Sequence, residues 1–227
     1  MKTAFTKMKM RAKNVKLRLR SVQVLVFVLL KICLIFSGNL YAQKRIVIDP
    51  GHGGKDAGAI APEKRCEKDL VLAVTKEMVK LNQTLFDNEL ELYVTRYKDT
   101  LISLKDRALL ARELRADVFV SLHCNHAQHT NAKGIEVYLA KNHGKFLKES
   151  IFLAYQLQKQ FQKKLGFKSR RVKFANFQVL RETADSMPSV LIELGFLSNE
   201  DESSYYQKPE NIRALALVLL EGLVENL

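Results

Sequence analysis

The sequence contains little cysteine and proline, and no long apolar run is free of charge. Three cysteines in 227 residues exclude a disulfide-rich secreted scaffold. Four prolines and ten glycines beside 47% hydrophobic residues exclude a disordered chain, because this composition can form a core. The most apolar stretch, residues 22–36, is shorter than the about 20 residues of a membrane span and contains Lys31.

Acidic residues are absent from residues 1–42, which carry nine of the 37 lysines and arginines. The remaining 185 residues therefore hold 28 basic and 24 acidic side chains, so most of the net charge of +13 lies in the N-terminal segment. A basic nucleic-acid-binding domain would need this excess on its folded part, so no nucleic-acid partner is expected. A length of 185 residues fits one domain.

The first 42 residues have the layout of a secretory signal peptide: a basic stretch, an apolar run and a short polar exit. Cleavage is predicted after Ala42, and an uncleaved N-terminal anchor is the alternative. Cys33 is interpreted as part of the apolar segment. The sequence thus predicts a signal segment over 1–42, one folded domain over 43–227 without a transmembrane segment, and export to the periplasm or cell envelope.

Predicted strands and helices alternate along residues 43–227. Short β-branched or alternating apolar runs predict strands, and apolar residues at helical spacing predict helices. This order indicates an α/β fold, a single domain with a mixed, mostly parallel sheet of about six strands and helices on both faces. The predicted strands are 44–49, 89–96, 117–123, 134–139, 177–181 and 189–194, and the predicted helices are 67–83, 103–115, 146–165 and one that begins at Pro209.

Chemically active side chains gather where three predicted strands end. The first strand runs into Asp49 and His52, the third ends at His123, and the last contains Glu193. Ligands of open α/β sheets bind at the carboxyl ends of strands. His52, His123 and Glu67, which begins the first helix, form the set of two imidazoles and one carboxylate that catalytic zinc sites use. Glu193 is the candidate general base.

Each of these residues also has an ordinary structural interpretation. A glycine-rich loop such as 51–54 can bind phosphate, although it matches neither of the common phosphate-loop patterns. A single histidine at a strand end is usually hydrogen-bonded for structural reasons, and Glu67 suits a helix N-terminus. Glu193 is harder to explain in this way, because it is the only charged residue in 189–197. Spacing alone favours a metal hydrolase only slightly.

Five ordered segments resemble the motifs of zinc-dependent N-acetylmuramoyl-L-alanine amidases, and the resemblance covers essentially all of the chain after residue 43. It implies that His52, Glu67 and His123 bind one zinc ion and that Glu193 is the catalytic carboxylate. The segments are IVIDPGHGGKDAGA at 46–59, EKDL at 67–70, SLHCN at 121–125, NFQVLR at 176–181 and VLIELGFLSN at 190–199.

The resemblance implies hydrolysis of the amide that joins N-acetylmuramic acid to L-alanine of the peptidoglycan stem peptide, in cell-wall remodelling and daughter-cell separation. Arg181 and Asn125 are candidate substrate-binding residues, and Asn125 or Asp49 is also a candidate for orienting a zinc histidine. The expected partner is peptidoglycan, the expected state is a monomer, and an activator protein is left open. The stretch 134–170 is expected to be too short for the regulatory helix that some members insert over the active site.

Three other functions remain open at this point: a different zinc peptidase acting on peptidoglycan, a non-catalytic wall-binding protein with the same fold, and a nucleotide-binding protein. Retention of all four candidate site residues argues against the second. Predicted export and the mismatch of the glycine-rich loop argue against the third. Cys66 and Cys124 each adjoin a candidate ligand in sequence, so a disulfide is conceivable in an oxidising compartment. Two unpaired thiols are the favoured interpretation, because adjacent residues of a strand point to opposite faces.

Overall fold

The computed structural model describes residues 23–27, 31 and 43–227, and the chain divides into two units between Ala42 and Gln43. The predicted cleavage after Ala42 and the interpretation of Cys33 lie outside the described residues. The signal segment and its boundary therefore stay predictions. Within the described ranges, no helix has the length and apolar character needed to cross a membrane.

Six strands form one mixed sheet in the order β2-β1-β3-β6-β4-β5. The four strands from β2 to β6 run parallel to one another, β4 is antiparallel to β6, and β5 is parallel to β4. This arrangement confirms the predicted mixed, mostly parallel sheet. The strands are β1 Lys44–Pro50, β2 Leu90–Val94, β3 Val118–Asn125, β4 Ile135–Ala140, β5 Ser169–Ala175 and β6 Ser189–Phe196.

Helices cover both faces of the sheet because its central strands are apolar on both sides. In β1, Ile46 and Ile48 belong to a large core under α1, α3 and α6, whereas Val47 belongs to a smaller core under α2 and α4. Within residues 43–227 the helices are α1 Glu67–Leu85, α2 Leu104–Glu113, α3 Leu147–Leu165, α4 Gln178–Thr183, α5 Glu200–Tyr205 and α6 Pro209–Val224.

Local sequence signals place several helix ends. The Ser103 side chain accepts a hydrogen bond from the Asp106 backbone amide and so caps the N-terminus of α2, as expected. Gly166 has a left-handed backbone (φ 72°) directly after α3. Pro209 is the first residue of α6, where its missing N–H costs no helical hydrogen bond.

The strand predicted over Phe177–Arg181 is wrong, because Gln178–Thr183 forms the short helix α4. Val179, Leu180 and Thr183 are its buried residues, and six residues are too few to display a helical period in the sequence. The missing sixth strand is Ser169–Ala175, which carries three basic residues and lies at the edge of the sheet. Charged edge strands lack the apolar pattern by which strands are predicted.

Helix α3 occupies the chain between β4 and β5. It packs against both of these strands and against α6, and its residues Leu153, Leu157 and Phe161 belong to the larger core. Its side chains therefore face the core on the side of the sheet opposite to the smaller core. No α3 residue lines the cavity described below.

Candidate metal centre and active site

The imidazoles of His52 and His123 and the carboxylate of Glu67 lie next to one another, as expected from the sequence. Glu67 Oε1 lies 3.1 Å from His52 Nε2 and 2.9 Å from His123 Nδ1, and the two imidazole nitrogens are 3.2 Å apart. Tetrahedral donors at about 2.0–2.1 Å from a zinc ion would be separated by roughly 3.3 Å, so this donor set fits zinc in both chemistry and spacing. Among the described residues this is the only group of three side chains close enough to share an ion.

His52 is placed by the loop that follows β1. Its backbone is left-handed (φ 59°), which is uncommon for a residue with a side chain, and its carbonyl accepts a hydrogen bond from Arg107 Nη2 at 2.6 Å. Its Nδ1 lies 2.8 Å from Asp56 Oδ2. When the ring is neutral, a proton on Nδ1 shared with Asp56 leaves the Nε2 lone pair directed at the converging donors, the usual arrangement around a metal-binding histidine.

Glu67 is held as an anion at the first turn of α1. The backbone amides of Ala59 and Cys124 donate hydrogen bonds to its two carboxylate oxygens, at 2.8 Å and 2.9 Å. Burial would raise the pKa of Glu67, but hydrogen bonds from His123 and His52 outweigh burial and lower this pKa to about 2. The carboxylate is therefore ionised and oriented at neutral pH.

Two glycines make room for this convergence. A Cβ atom on Gly51 would lie 2.2 Å from His123 Cε1, far inside any normal contact. Gly58 has φ +67°, and a Cβ there would lie 2.5 Å from Glu67 Oε2. Gly51 and Gly58 are thus required for close packing of the candidate ligand side chains, which the interpretation of 51–54 as a phosphate-binding loop did not indicate.

Glu193 lies beside these three side chains, because its strand β6 pairs with β3 and Glu193 is the register partner of His123. Its Oε2 is the only buried side-chain polar atom of the described residues without a hydrogen-bond partner. Burial raises the pKa of Glu193 to about 7; the carboxylates of Glu67 and Glu136 add to this rise, and the neighbouring imidazoles of His123 and His52 oppose it. A carboxylate with this pKa can both accept and return a proton near neutral pH.

The converging side chains open into a cavity of about 870 Å³. Residues at the N-termini of α2 and α4 line the cavity. Its apolar lining includes Leu101, Ile102, Leu104, Phe177 and Val179. The size suits a peptide-sized ligand, since small-molecule sites occupy about 300–1,000 Å³.

The two candidate substrate-binding residues occupy different positions. Asn125 lines the cavity, but its amide group donates to Glu136 Oε2 at 3.0 Å and its Oδ1 accepts from the His126 backbone amide. Arg181 donates to Asn176 Oδ1 at 2.7 Å and is not among the cavity-lining residues. A role for either residue in binding substrate stays a prediction.

Asp49 does not contact His52 directly. Its carboxylate accepts hydrogen bonds from Thr95, Ser121 and Arg107, and both Asp49 and Arg107 are 1% exposed. Arg107 in turn donates to the His52 carbonyl, so Asp49 acts on the ligand loop only through this arginine.

Sequence reasoning missed three residues that position the ligands. Arg96 donates to the carbonyl oxygens of Pro50 and Gly51, and Arg107 donates to those of Pro50 and His52. Both arginines come from distant segments, so no local signal identified them. Asp56 follows the candidate ligand His52 by only four residues, so its position in the sequence could have identified it as a hydrogen-bond partner of that histidine.

The two cysteines of the described domain are free. Cys124 is buried within the larger core, and burial raises the pKa of its thiol well above the ordinary value. Cys66 is half-buried at the start of α1. The favoured interpretation, two unpaired thiols, agrees with the structure.

Zinc uptake is expected to release protons from His52. Burial would lower the pKa of His52, but the carboxylates of Glu67 and Asp56 outweigh burial and raise it to about 9 in the metal-free protein. His52 is therefore protonated at pH 7 and must lose a proton to bind a metal. Zinc affinity should rise about tenfold per pH unit from pH 7 to pH 9, with about one proton released from His52 per ion at pH 7.

Calorimetry in buffers of different ionisation enthalpy measures this proton count. Asp56→Asn removes one of the two carboxylates that raise the pKa of His52, so it should release fewer protons per zinc ion when binding is measured at about pH 8. It also removes the partner that orients His52, which should weaken zinc binding by about 10–100-fold at pH values where His52 is neutral. Asp117→Asn, at the amino-terminal end of β3, is the matched control and should leave both quantities unchanged. An unchanged proton count in Asp56→Asn would contradict the assignment of Asp56.

The fold and the site together define a class, an α/β protein with the donor set and the adjacent carboxylate of a metal-dependent hydrolase. A family model described as N-acetylmuramoyl-L-alanine amidase matches residues 46–225, most of the chain. The chain belongs to this family.

Relatives and solved structures agree with this membership. A probable cell wall amidase LytH from Staphylococcus epidermidis is 34% identical over 189 residues, which are 82% of this chain and 60% of the relative. An N-acetylmuramoyl-L-alanine amidase from Clostridium difficile 630 is 34% identical with a TM-score of 0.73, over 81% of this chain and 96% of that one. The CwlD amidase from Clostridioides difficile, solved in complex with the GerS lipoprotein, is 26% identical with a TM-score of 0.72. The match covers 81% of this chain and 98% of CwlD. The chain spans about 60% of the length of the LytH relative.

Proposed function

We propose that this protein hydrolyses the amide bond between N-acetylmuramic acid and the first L-alanine of the peptidoglycan stem peptide. The observation that carries the proposal is the convergence of His52, Glu67 and His123 beside the unpaired carboxylate of Glu193. Membership in the amidase family supports the choice of substrate.

His52 Nε2, His123 Nδ1 and Glu67 would hold one zinc ion, which when bound supplies the Lewis acidity that makes water reactive near neutral pH. The chain itself provides the proton transfers. Glu193 Oε2 accepts a proton from the attacking water and then delivers it to the nitrogen of the leaving amine, so one carboxylate serves as base and then as acid. Its raised pKa, about 7, suits both steps.

The apolar side chains that line the cavity orient the substrate. They exclude water from the amide that is cleaved, and this exclusion strengthens the interactions of the buried carboxylates. Arg107 and Asp56 keep His52 in the orientation that points Nε2 toward the other donors.

We also propose export to the periplasm or cell envelope through the signal segment 1–42, and action as a monomer on peptidoglycan. The cell-wall substrate implied for the family supports this location. A protein activator is a further proposal, supported by one family member, CwlD, whose structure contains the GerS lipoprotein.

The test is digestion of purified peptidoglycan by the purified chain, with mass spectrometry of the products. Whole stem peptides with a free L-alanine amine are expected, a chelator should abolish their release, and added zinc should restore it. Shortened stem peptides would instead indicate a different zinc peptidase. Binding to peptidoglycan without cleavage, with zinc bound, would indicate a wall-binding protein and overturn the proposal.

A further inference from the structure

A second cluster of charged side chains lies directly beside Glu193. Glu136 on β4 is the register partner of Glu193 on β6, and Glu136 is 2% exposed. Its Oε1 accepts from Arg170 Nε at 2.7 Å and from Lys173 Nζ at 2.6 Å. Its Oε2 accepts from Tyr138 and Asn125. All the hydrogen-bonding capacity expected of a buried carboxylate is therefore used.

An irregularity of β5 brings both cations to this carboxylate. Residues three apart in a regular strand point to opposite faces, so Arg170 and Lys173 would not normally meet. Ile135 pairs with Ser169 and Val137 pairs with Val172, so β5 contains one extra residue here. The bulge includes Arg171 in a left-handed backbone (φ 72°), which disfavours residues with side chains. Bulges commonly redirect a side chain next to a functional site.

The two cations of the cluster share one ion-paired carboxylate. Arg170 and Lys173 both pair with Glu136, and their side chains remain 31% and 38% exposed. The guanidinium carbon of Arg170 lies 4.9 Å from the centroid of the Phe196 ring. The two terminal nitrogens of Arg170 donate to no acceptor among the described residues. A planar fork of free N–H groups is the geometry that carboxylates bind best.

The distance between β5 and the proposed catalytic carboxylate of Glu193 follows from the spacing of the strands. Neighbouring strands are about 4.8 Å apart, so β5 lies roughly 10 Å from Glu193 on β6, with β4 between them. An extended peptide covers about 3.3–3.6 Å per residue, so this distance corresponds to the second or third residue after the cleaved bond. The side chains of Tyr138 and Phe177 are in edge-to-face contact and connect the cluster to the cavity wall.

We infer that Arg170 and Lys173 form a binding site for a carboxylate that the stem peptide carries two or three residues beyond the cleaved amide. Glu136 is the positioning residue that holds both cations in place. This inference rests on the proposed function, because it specifies which substrate that same active site prefers.

The test compares two synthetic N-acetylmuramoyl peptides that differ only at the second and third residues, whose carboxylates are either free or amidated. The zinc-loaded wild-type chain should cleave the free acid with a kcat/KM about three- to tenfold higher, mostly through a lower KM. Arg170→Gln and Lys173→Gln should each reduce this preference, because each variant should lose more activity on the free acid than on the amidated peptide. Arg171→Gln is the matched control, since this neighbouring arginine is exposed and should keep the preference.

Equal cleavage of both peptides by the wild-type chain would overturn the inference and leave the proposed function intact. An equal fractional loss on both peptides in the Arg170→Gln and Lys173→Gln variants would overturn it as well, because the preference for the free acid would then not depend on these two cations. Cleavage of neither peptide by the zinc-loaded wild type would overturn the proposed function and this inference with it. Arg170→Lys, which keeps the charge, should retain part of the preference.

Discussion

Glutamine in place of Glu193 is expected to lower kcat about a thousandfold while the chain still binds one zinc ion. Proton transfer by a positioned carboxylate contributes about 10²–10⁴-fold, and the amide of glutamine cannot perform it. Zinc should remain bound because the three ligand side chains are unchanged, whereas His52→Ala and His123→Ala should lose the metal. Steady-state kinetics on peptidoglycan fragments and metal analysis of the same samples measure both effects. Substantial turnover in Glu193→Gln would remove Glu193 from the mechanism.

The same variant should be more stable than the wild type in the metal-free state. The pKa of Glu193 is about 7 in the folded protein, well above the 4.5 of an exposed glutamate, so the ionised group favours the unfolded chain. Ionisation of Glu193 therefore lowers the free energy of unfolding of the wild type by on the order of 1–3 kcal/mol. This loss begins above about pH 4.5 and is complete above about pH 7. Urea unfolding in the presence of a chelator should show the gain at pH 8 and no gain at pH 4. Glu149→Gln, an exposed residue of α3, is the control for both measurements.

Replacement of Arg107 by methionine is expected to destabilise the domain by about 3–5 kcal/mol. Arg107 Nη1 lies 2.7 Å from Asp49 Oδ1, and both residues are buried, so the variant leaves a buried carboxylate without its cation. The variant also removes the hydrogen bonds to the carbonyls of Pro50, His52 and Ile102. Zinc affinity should fall as well, because the His52 loop loses its support.

Arg112→Met provides a matched control on the same helix. Arg112 Nη1 lies 3.9 Å from Glu182 Oε2, and its side chain is 31% exposed, so its loss should cost about 1 kcal/mol or less. Urea unfolding measures the free energy of unfolding of Arg107→Met and Arg112→Met. A third variant combines Arg107→Met with Asp49→Asn, so that no buried carboxylate is left unpaired. Equal unfolding midpoints for Arg107→Met and Arg112→Met would show that the buried pair does not stabilise the ligand loop.

Most secondary structure could be predicted because its signals are local. The apolar stripe of α6, the cap at Ser103 and the β-branched run of β1 each reflect contacts within a few residues. The two errors, the strand predicted over 177–181 and the missed strand β5, occurred where the local sequence pattern does not reflect the contacts that the segment makes in the folded chain. The charged strand β5 is a strand because β4 provides hydrogen bonds for one of its edges, and α4 is a helix because its apolar residues pack against the smaller core.

The candidate ligands could be predicted for a related reason. Carboxyl ends of parallel strands meet at one edge, so His52, His123 and Glu193 were expected together, with Glu67 at the start of the first helix. The family resemblance then implied their roles. The residues that support them could not be predicted. Arg96 and Arg107 act on backbone carbonyls, and nothing in their neighbouring sequence indicates which distant loop they contact.

The fold class, the family and the four side chains proposed for the chemistry follow from periodicity and from ordered motifs, so they could be predicted without coordinates. The folded structure was needed to show that Asp49 pairs with Arg107, that Glu193 retains an unpaired oxygen, and that a bulge brings Arg170 and Lys173 to Glu136. The physical reason is the range of the interactions. Periodicity and caps act over a few residues, whereas hydrogen bonds and electrostatic fields depend on which distant segments come together in the folded chain.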